Sequence, residues 1–256
     1  MINATEPLSI EECAAQLEKE HKFTPIPHDL DQTQKLRMLD SKVYETWDPA
    51  LFNERSRGRD IVKVYNETSQ NSPEELLKRQ ALLHLLVRGQ MGPGCYIEPP
   101  FRCDYGNNIT MGKGVYMNFN CVILDCSHVT IGDNTFLASN VQIFGAAHPV
   151  NPLLRSKGVE YGMPVHIGKD VWIGGGSIIC PGVTVGDGVT IGAGSVVTKN
   201  VPPYTVIAGS PAKIIKVLSK EECEKEDREY EELKALGKAF EDWTPSPKGT
   251  LPFPSK

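Results

Sequence analysis

The chain has 256 residues, of which 40% are hydrophobic and 23% are charged, and its formal net charge is -5. This length accommodates one large domain with appendages, and an acidic chain without a long basic run gives no reason to expect a nucleic-acid partner. No signal-peptide core and no apolar run of membrane-spanning length occurs, so no membrane contact is predicted and the cytosol is the expected location. Seven cysteines form an odd set without a CxxC pair, which predicts free thiols instead of disulfides or a zinc ribbon.

Two helical segments are predicted before the main domain. Residues 1–28 form an extension in which Ser9 caps one helix, because a Glu stands three places later as in a capping box. Residues 29–92 are predicted to form a helical cap. The clearest helix of this cap follows Ser72, which precedes a Pro-Glu-Glu sequence, and it ends near Gly89. We expect the cap to pack against the start of the next domain.

The domain predicted for residues 93–218 has a period of six residues. Neither an amphipathic helix, with about 3.6 residues per turn, nor a strand that alternates at two produces this period. It predicts a mainly β fold, a parallel β-helix whose coils have three flat sides with one inward aliphatic residue per side. Between Val165 and Asn200 six hexads follow one another, and their third places are Ile167, Ile173, Ile179, Val185, Ile191 and Val197.

Two shorter runs of hexads precede this one, and the register breaks between runs. A bulge of two residues near His128 separates the first run from the second. An insertion of 18 residues, within 146–164, separates the second from the third and is expected to leave the coil as a loop. Such insertions often lie on the binding face of a repeat protein. Residues 219–256 are predicted to form a solvated C-terminal helix and a disordered, proline-rich tail.

Six segments occur in an order that is typical of one enzyme family: FRCDYGNNI, YMNFNCVILDC, HPVNPLLRSKGVEYGMPV, IGKDVWIGGG, CPGVTVGDGVTIGAGSVVTK and AGSPAKII. Together they resemble the maltose and galactoside O-acetyltransferases, and the resemblance covers residues 30–218. It implies a left-handed parallel β-helix and a homotrimer with sites between subunits. It also implies acetyl-CoA as the donor, a sugar hydroxyl as the acceptor, and no metal.

Acetyl transfer from a thioester to a hydroxyl requires a base and hydrogen-bond donors to the oxyanion, and it requires no covalent intermediate. His148, at the start of the inserted loop, is the expected base, because imidazole titrates near neutral pH. From spacing alone a loop histidine that only fixes a turn is as good an interpretation, and the family's His-Pro motif favours the base. Asn118 at a coil corner is expected to bind a neighbouring acceptor hydroxyl, the alternative being a tolerated turn residue.

Three carboxylates are candidates for the acceptor site. By resemblance, Asp104 and Asp125 align with substrate-pocket positions, although a solvated coil face is the alternative for both. Glu160, at the end of the loop, is expected to orient or polarise His148 or to contact the sugar. A Glu is found here in the maltose-type enzymes, and Thr46 stands about where the galactoside enzymes have an Asp. Both features favour glucose or maltose over a galactoside.

The donor site is expected along the uninterrupted run of hexads. By resemblance, a glycine offers its N–H to the thioester carbonyl, an alanine lines the pantetheine groove, and a Thr-Lys pair contacts the adenosine end. Two further lysines supply charge for the phosphates, the alternative being exposed charges at the end of the coil. An outward Trp forms either subunit packing or a wall of the cleft. These residues are Trp172, Gly175, Ala193, Thr198, Lys199, Lys213 and Lys216.

Two other functions are compatible with such a coil. A γ-type carbonic anhydrase binds zinc through three histidines of two subunits, and His128, His148 and His166 are spaced by 20 and 18 residues. Against this, His128 lies in the bulge and His166 points outward beside an inward Ile. A catalytically silent trimeric scaffold is the other alternative, and the presence of both His148 and Asn118 argues against it.

Overall fold

The computed structural model describes residues 8–69 and 71–236 of the chain. Within them the helices are α1 (Ile10–His21), α2 (Thr33–Leu39), α3 (Pro49–Asn66), α4 (Pro73–Leu86), α5 (Pro152–Arg155) and α6 (Lys220–Ala235). The strands are β1 (Tyr44–Glu45), β2 (Tyr96–Ile97), β3 (Arg102–Cys103), β4 (Ile109–Met111), β5 (Tyr116–Met117), β6 (Val122–Leu124), β7 (Val129–Ile131), β8 (Phe136–Leu137), β9 (Gln142–Phe144), β10 (Ala146–Ala147), β11 (Val159–Gly162), β12 (Val165–Ile167), β13 (Trp172–Ile173), β14 (Ile178–Ile179), β15 (Thr184–Val185), β16 (Thr190–Ile191), β17 (Val196–Val197), β18 (Thr205–Ala208) and β19 (Lys213–Val217).

Parallel strands stack on three faces and form a β-solenoid of about six turns. The first face contains β4, β7, β12 and β15. The second face contains β2, β5, β8, β13, β16 and β18, and the third contains β3, β6, β9, β14 and β17. The chain passes from the first face to the second and then to the third in each coil. The mainly β, parallel architecture predicted from the hexads is therefore confirmed.

The inward places of the hexads form the core. The six aliphatic residues predicted to point inward are all buried, and residues one coil apart pair in register, as Ile173 does with Ile191. Full burial of one such side chain contributes roughly 1.5–3 kcal/mol, and the solenoid repeats this contribution at each side of each coil. The corners require left-handed backbone, which Asn and Gly adopt most easily; φ is 62° at Asn120 and 69° at Gly194.

The N-terminal helices pack on one another and on the first coil. Ser9 caps α1 with the predicted capping box, and Ser72 caps α4. Helix α1 packs against α4, which in turn packs against α3. Tyr65 of α3 is buried and donates a hydrogen bond to the carbonyl of Ile97 in β2. The predicted packing of the helical cap on the coil is therefore confirmed, and the helix of the N-terminal extension is part of the same packed unit.

The segment inserted within 146–164 has secondary structure of its own. Strands β10 and β11 pair antiparallel, with the short helix α5 between them, and β11 also pairs antiparallel with β1 of the cap. Only a loop was predicted for this segment, and its strands and short helix were not. The hexad pattern contains no signal for this three-stranded sheet, because its outer strand β1 comes from a distant part of the sequence.

The solenoid ends with an antiparallel pair. Strand β19 pairs with β18 at the edge of the second face. Helix α6 follows, is capped by Ser219 and has no buried residue, which confirms the solvated helix predicted there. The predicted disordered tail lies beyond residue 236, outside the described residues. Among the described helices, none has the length and apolar character needed to span a bilayer. The seven cysteines all lie in the described part and are free thiols.

Candidate active site

A cavity of about 440 Å³ opens where the cap, the solenoid and the inserted sheet meet. Three of the predicted site residues line it, namely His148, Glu160 and Asp104. Thr46 lies in the same wall, and its hydroxyl donates to the carbonyl of Gly158 at 3.5 Å. The structure thus brings together the expected base, two of the three expected carboxylates and the residue that the sequence pointed to in the cap.

The expected base is held beside a carboxylate. His148 follows β10, its side chain is 56% exposed, and its Nε2 lies 3.7 Å from Oε2 of Glu160. Glu160 lies on β11, and its Oε1 accepts a hydrogen bond from the hydroxyl of Tyr44, which faces it across the β1–β11 pair. Burial raises the pKa of Tyr44 far above its ordinary value, so the phenol stays protonated and acts as a donor. The sequence pattern gave no indication of Tyr44.

Asp104 and Cys126 form the part of the wall supplied by the solenoid. One oxygen of Asp104 lies 3.4 Å from the guanidinium of Arg59, and the other accepts a hydrogen bond from the Cys126 thiol at 3.4 Å. Burial, followed by the nearby charges of Asp104 and Glu160, raises the pKa of Cys126 well above its ordinary value. The thiol therefore remains protonated and donates to the carboxylate. Sequence reasoning missed Cys126 and selected its neighbour.

That neighbour, Asp125, is fully buried and does not line the cavity. Its Oδ1 accepts from the N–H groups of Asp104 and Tyr105 at 3.0 and 2.9 Å. Its Oδ2 accepts from those of Gly106 and Asn108 at 2.7 and 3.3 Å. The expectation that Asp125 contacts the sugar is therefore corrected: its carboxylate supports the chain turn that carries Asp104 into the cavity.

Trp47 and Arg55 form the wall supplied by the cap. The guanidinium of Arg55 donates to the hydroxyl of Tyr105 at 2.8 Å and to the carbonyl of Thr46 at 2.6 Å. Its carbon Cζ lies 5.9 Å from the ring centroid of Trp47. The indole is 79% exposed although it lines the cavity. The hexad pattern does not extend to this segment, and neither residue was expected in the site.

Asn118 lies away from this cavity. It follows β5 at the corner between the second and third faces, and its own Oδ1 accepts from the N–H of Phe119 at 2.7 Å. Gly175 and Ala193 occupy the same corner in later coils. The N–H of Gly175 donates to no group in the described part of the chain, and a Cβ there would lie 3.1 Å from the Ser139 carbonyl. Gly175 is half-buried at this corner, and a side chain at this position would crowd the neighbouring coil.

The other expected donor residues lie farther along the solenoid. Thr198 and Lys199 line a second cavity of about 160 Å³, which β18 and β19 close on one side. Lys213 and Lys216 lie on β19, and Lys213 is exposed. Trp172 points outward on the second face, as predicted, and pairs with Phe136 one coil earlier.

The three coil histidines do not converge within one chain. The Nδ1 of His166 lies 2.8 Å from the hydroxyl of Thr130 on the first face, and His128 is exposed at the corner before β7. His148 faces Glu160. In the residues that the structure describes, no group of three or more His, Cys, Asp or Glu side chains is placed to hold a metal ion.

Comparison with known proteins gives consistent matches to both parts of the chain. Residues 37–88 match the family described as "Maltose acetyltransferase hexapeptide capping motif", and residues 164–199 match "Bacterial transferase hexapeptide (six repeats)". Nodulation protein L of Rhizobium meliloti (strain 1021) is 50% identical over 188 residues, which are 72% of this chain and 99% of that protein.

Two solved structures are similar over the same region. The maltose O-acetyltransferase from Clostridium difficile 630 has a TM-score of 0.68 and 44% identity, with 73% of this chain and 98% of that chain covered. A galactoside acetyltransferase in complex with coenzyme A has a TM-score of 0.69 and 36% identity, with 74% and 93% covered. The resemblance stated from the sequence is confirmed, and this chain belongs to the maltose and galactoside O-acetyltransferase family of hexapeptide-repeat enzymes.

Proposed function

We propose that the protein transfers an acetyl group from acetyl-CoA directly to a hydroxyl of glucose, maltose or a related saccharide. The observation that carries this proposal is His148 on the wall of a polar cavity, with its ring beside Glu160. The coenzyme A bound to the related galactoside acetyltransferase supports the choice of donor. Thr46 and Glu160, both in the cavity wall, support a glucose- or maltose-type acceptor over a galactoside.

In the proposed reaction His148 is the general base. The acceptor oxygen attacks the thioester carbonyl carbon while its proton moves to the imidazole, and Glu160 stabilises the charged ring that results. The bond from the carbonyl carbon to sulfur then breaks, and the departing thiolate takes the proton from His148. The N–H of Gly175 is suited to bind the oxyanion in between, because it donates to no group in the described part of the chain.

The positions of these groups support a homotrimer. His148 leaves the solenoid between the third and first faces, whereas Asn118 and Gly175 lie between the second and third. The two half-sites are thus on different edges of one three-sided solenoid. Three copies arranged around a threefold axis would bring the His148 edge of one subunit to the Asn118 edge of the next. Trp172 and the donor lysines would then line the cleft between the two subunits.

The test of the base is thiol release from acetyl-CoA with glucose, maltose or a thiogalactoside as acceptor. His148→Ala should lower turnover by a factor on the order of 10² or more, as removal of a general base does. His166→Ala is the matched control, because His166 lies on the first face outside the cavity and should keep its activity. Equal turnover in the parent and His148→Ala would refute the assignment.

The same control tests the zinc alternative. Stoichiometric zinc in the purified protein, together with loss of function in both histidine variants, would favour a hydratase over the transferase.

Mixing two inactive variants tests the shared site. His148→Ala and Asn118→Ala each lack one half of every site. When they are mixed in equal amounts and allowed to reassemble, about a quarter of the sites in random trimers combine an intact His148 with an intact Asn118. Thiol release should therefore return to about a quarter of the parent value. Absence of any recovery, with trimers shown to exchange subunits, would place both residues in the site of a single chain.

A further inference from the structure

Trp47 is a large aromatic side chain left open beside the catalytic histidine. Its indole lines the same cavity as His148 and Glu160, yet 79% of its surface is exposed. An indole has a large apolar ring and a polar N–H, so one that is exposed at the edge of a polar cavity presents a surface that a ligand with an apolar face can cover. The acetyl-transfer groups alone make no use of this surface.

The fold does not need the indole. The residue lies in the turn between β1 and α3, and the backbone on both sides of it is fixed by other contacts. Before it, Glu45 pairs with Val159 in the β1–β11 ladder. After it, the Asp48 side chain accepts hydrogen bonds from the N–H groups of Ala50 and Leu51 and so caps α3. A smaller side chain at position 47 would leave these contacts in place.

The orientation of the indole is nevertheless supported. The Arg55 guanidinium lies 5.9 Å from the ring centroid and is itself fixed by Tyr105 and by the carbonyl of Thr46. A cation beside one part of an aromatic ring stabilises its position and leaves the rest available. Trp47 is therefore a supported aromatic surface at the edge of a cavity.

The cavity is larger than one sugar ring requires. A hexose of twelve non-hydrogen atoms fills roughly 200 Å³ at the packing density of protein interiors. The cavity measures about 440 Å³. When the reacting ring lies against His148, space for a second ring remains. A pyranose has an apolar face of C–H groups and a polar rim of hydroxyls, so it matches an aromatic surface flanked by charged groups such as Arg59 and Asp104.

We propose that Trp47 stacks against a second sugar ring of the acceptor, so that the enzyme selects saccharides of two or more rings over a single hexose. The inference rests on the proposed sugar O-acetyltransferase function. Trp47 takes no part in bond making. It sets specificity through binding of the ring that does not react.

The experiment compares kcat/KM for glucose, maltose and maltotriose in the parent, Trp47→Ala and Trp47→Phe, by thiol release from acetyl-CoA. The measured quantity is the ratio of kcat/KM for maltose to that for glucose. Trp47→Ala should lower this ratio on the order of tenfold, through KM for maltose, since an aromatic stacking contact is lost. Trp47→Phe keeps an aromatic face and should recover most of the ratio. Leu36→Ala is the matched control, because Leu36 is 61% exposed on α2 and does not line the cavity.

The possible results distinguish failure of the proposed role of Trp47 from failure of the proposed sugar acetyltransferase activity. Transfer to both sugars with the same ratio in the parent and Trp47→Ala overturns the role of Trp47 and leaves the sugar acetyltransferase standing. An equal fall for glucose and maltose shows that the indole supports the site as a whole, and this also overturns the inference. Absence of transfer to every sugar in the parent overturns the proposed function and this inference with it.

Discussion

Replacement of Asp125 by Asn distinguishes a structural role of the buried carboxylate from a direct contact with the sugar. In the structure four backbone N–H groups, those of Asp104, Tyr105, Gly106 and Asn108, donate to its two carboxylate oxygens. An Asn side chain has the same shape but only one acceptor oxygen. Its NH₂ group would face two of the four N–H groups, whichever way the amide is turned.

The expected loss of folding stability follows from the number of N–H groups left without an acceptor. Two buried donors lose their acceptor, and each unsatisfied donor costs roughly 1–3 kcal/mol, so Asp125→Asn should lower the free energy of unfolding by about 2–6 kcal/mol at neutral pH. Asp133→Asn is the matched control. Oδ1 of Asp133 accepts one backbone N–H, that of Lys113, at 2.8 Å, and an Asn keeps this oxygen. The control should therefore change the free energy by less than about 0.5 kcal/mol.

Urea unfolding at one fixed protein concentration, followed by far-UV circular dichroism, measures both variants, because assembly couples stability to concentration. Steady-state kinetics on the folded variants provide the second readout. If Asp125→Asn unfolds at the same urea concentration as the parent but has a raised KM for the sugar, the buried carboxylate is not mainly structural. The sequence-based expectation of a sugar contact would then be the better one.

Two further predictions follow from the same structure. Tyr44→Phe removes the hydrogen bond to Glu160. Thiol release should show a kcat that is lower on the order of tenfold, with little change in KM for acetyl-CoA. A change in stability alone would show that Tyr44 has only a packing role. Gly162→Ala places a Cβ 2.0 Å from the carbonyl oxygen of Cys126, so thermal unfolding should show a loss of roughly 1–3 kcal/mol, with reduced thiol release because β11 carries Glu160.

The regular part of the fold was predictable because its information is local. Each hexad places one aliphatic residue inward, and the next coil places another at the same position after a fixed number of residues. The pairing of Ile173 with Ile191 can therefore be predicted from their spacing in the sequence. His148 was predictable for the opposite reason, since it stands where this regularity breaks. Both depend on residues close in the chain.

The remaining parts of the site depend on contacts that the period does not encode. Tyr44 and Glu160 are separated by 116 residues and meet only because β1 pairs with β11. Trp47 lies in the turn after β1 and lines the same cavity. Asp125 and Cys126 differ by one position, and the direction of the chain at a wide corner decides which one lines the cavity. A shift of one residue moves a side chain from one face of a strand to the other. No local sequence pattern showed which of these two residues faces the cavity.

The antiparallel strand β19 affects the behaviour of the protein in solution. A solenoid of stacked parallel strands ends in a row of unpaired backbone groups, which is a template for pairing with another chain. Strand β19 covers this edge on the second face, but it exposes Ile214, Ile215 and Val217. Lys213 precedes this apolar run and Lys216 interrupts it, and lysine at a sheet edge opposes edge-to-edge aggregation. Lysines expected to attract the donor phosphates would thus also keep the end of the solenoid from polymerising, and engineering of the donor site at β19 would carry a cost in solubility.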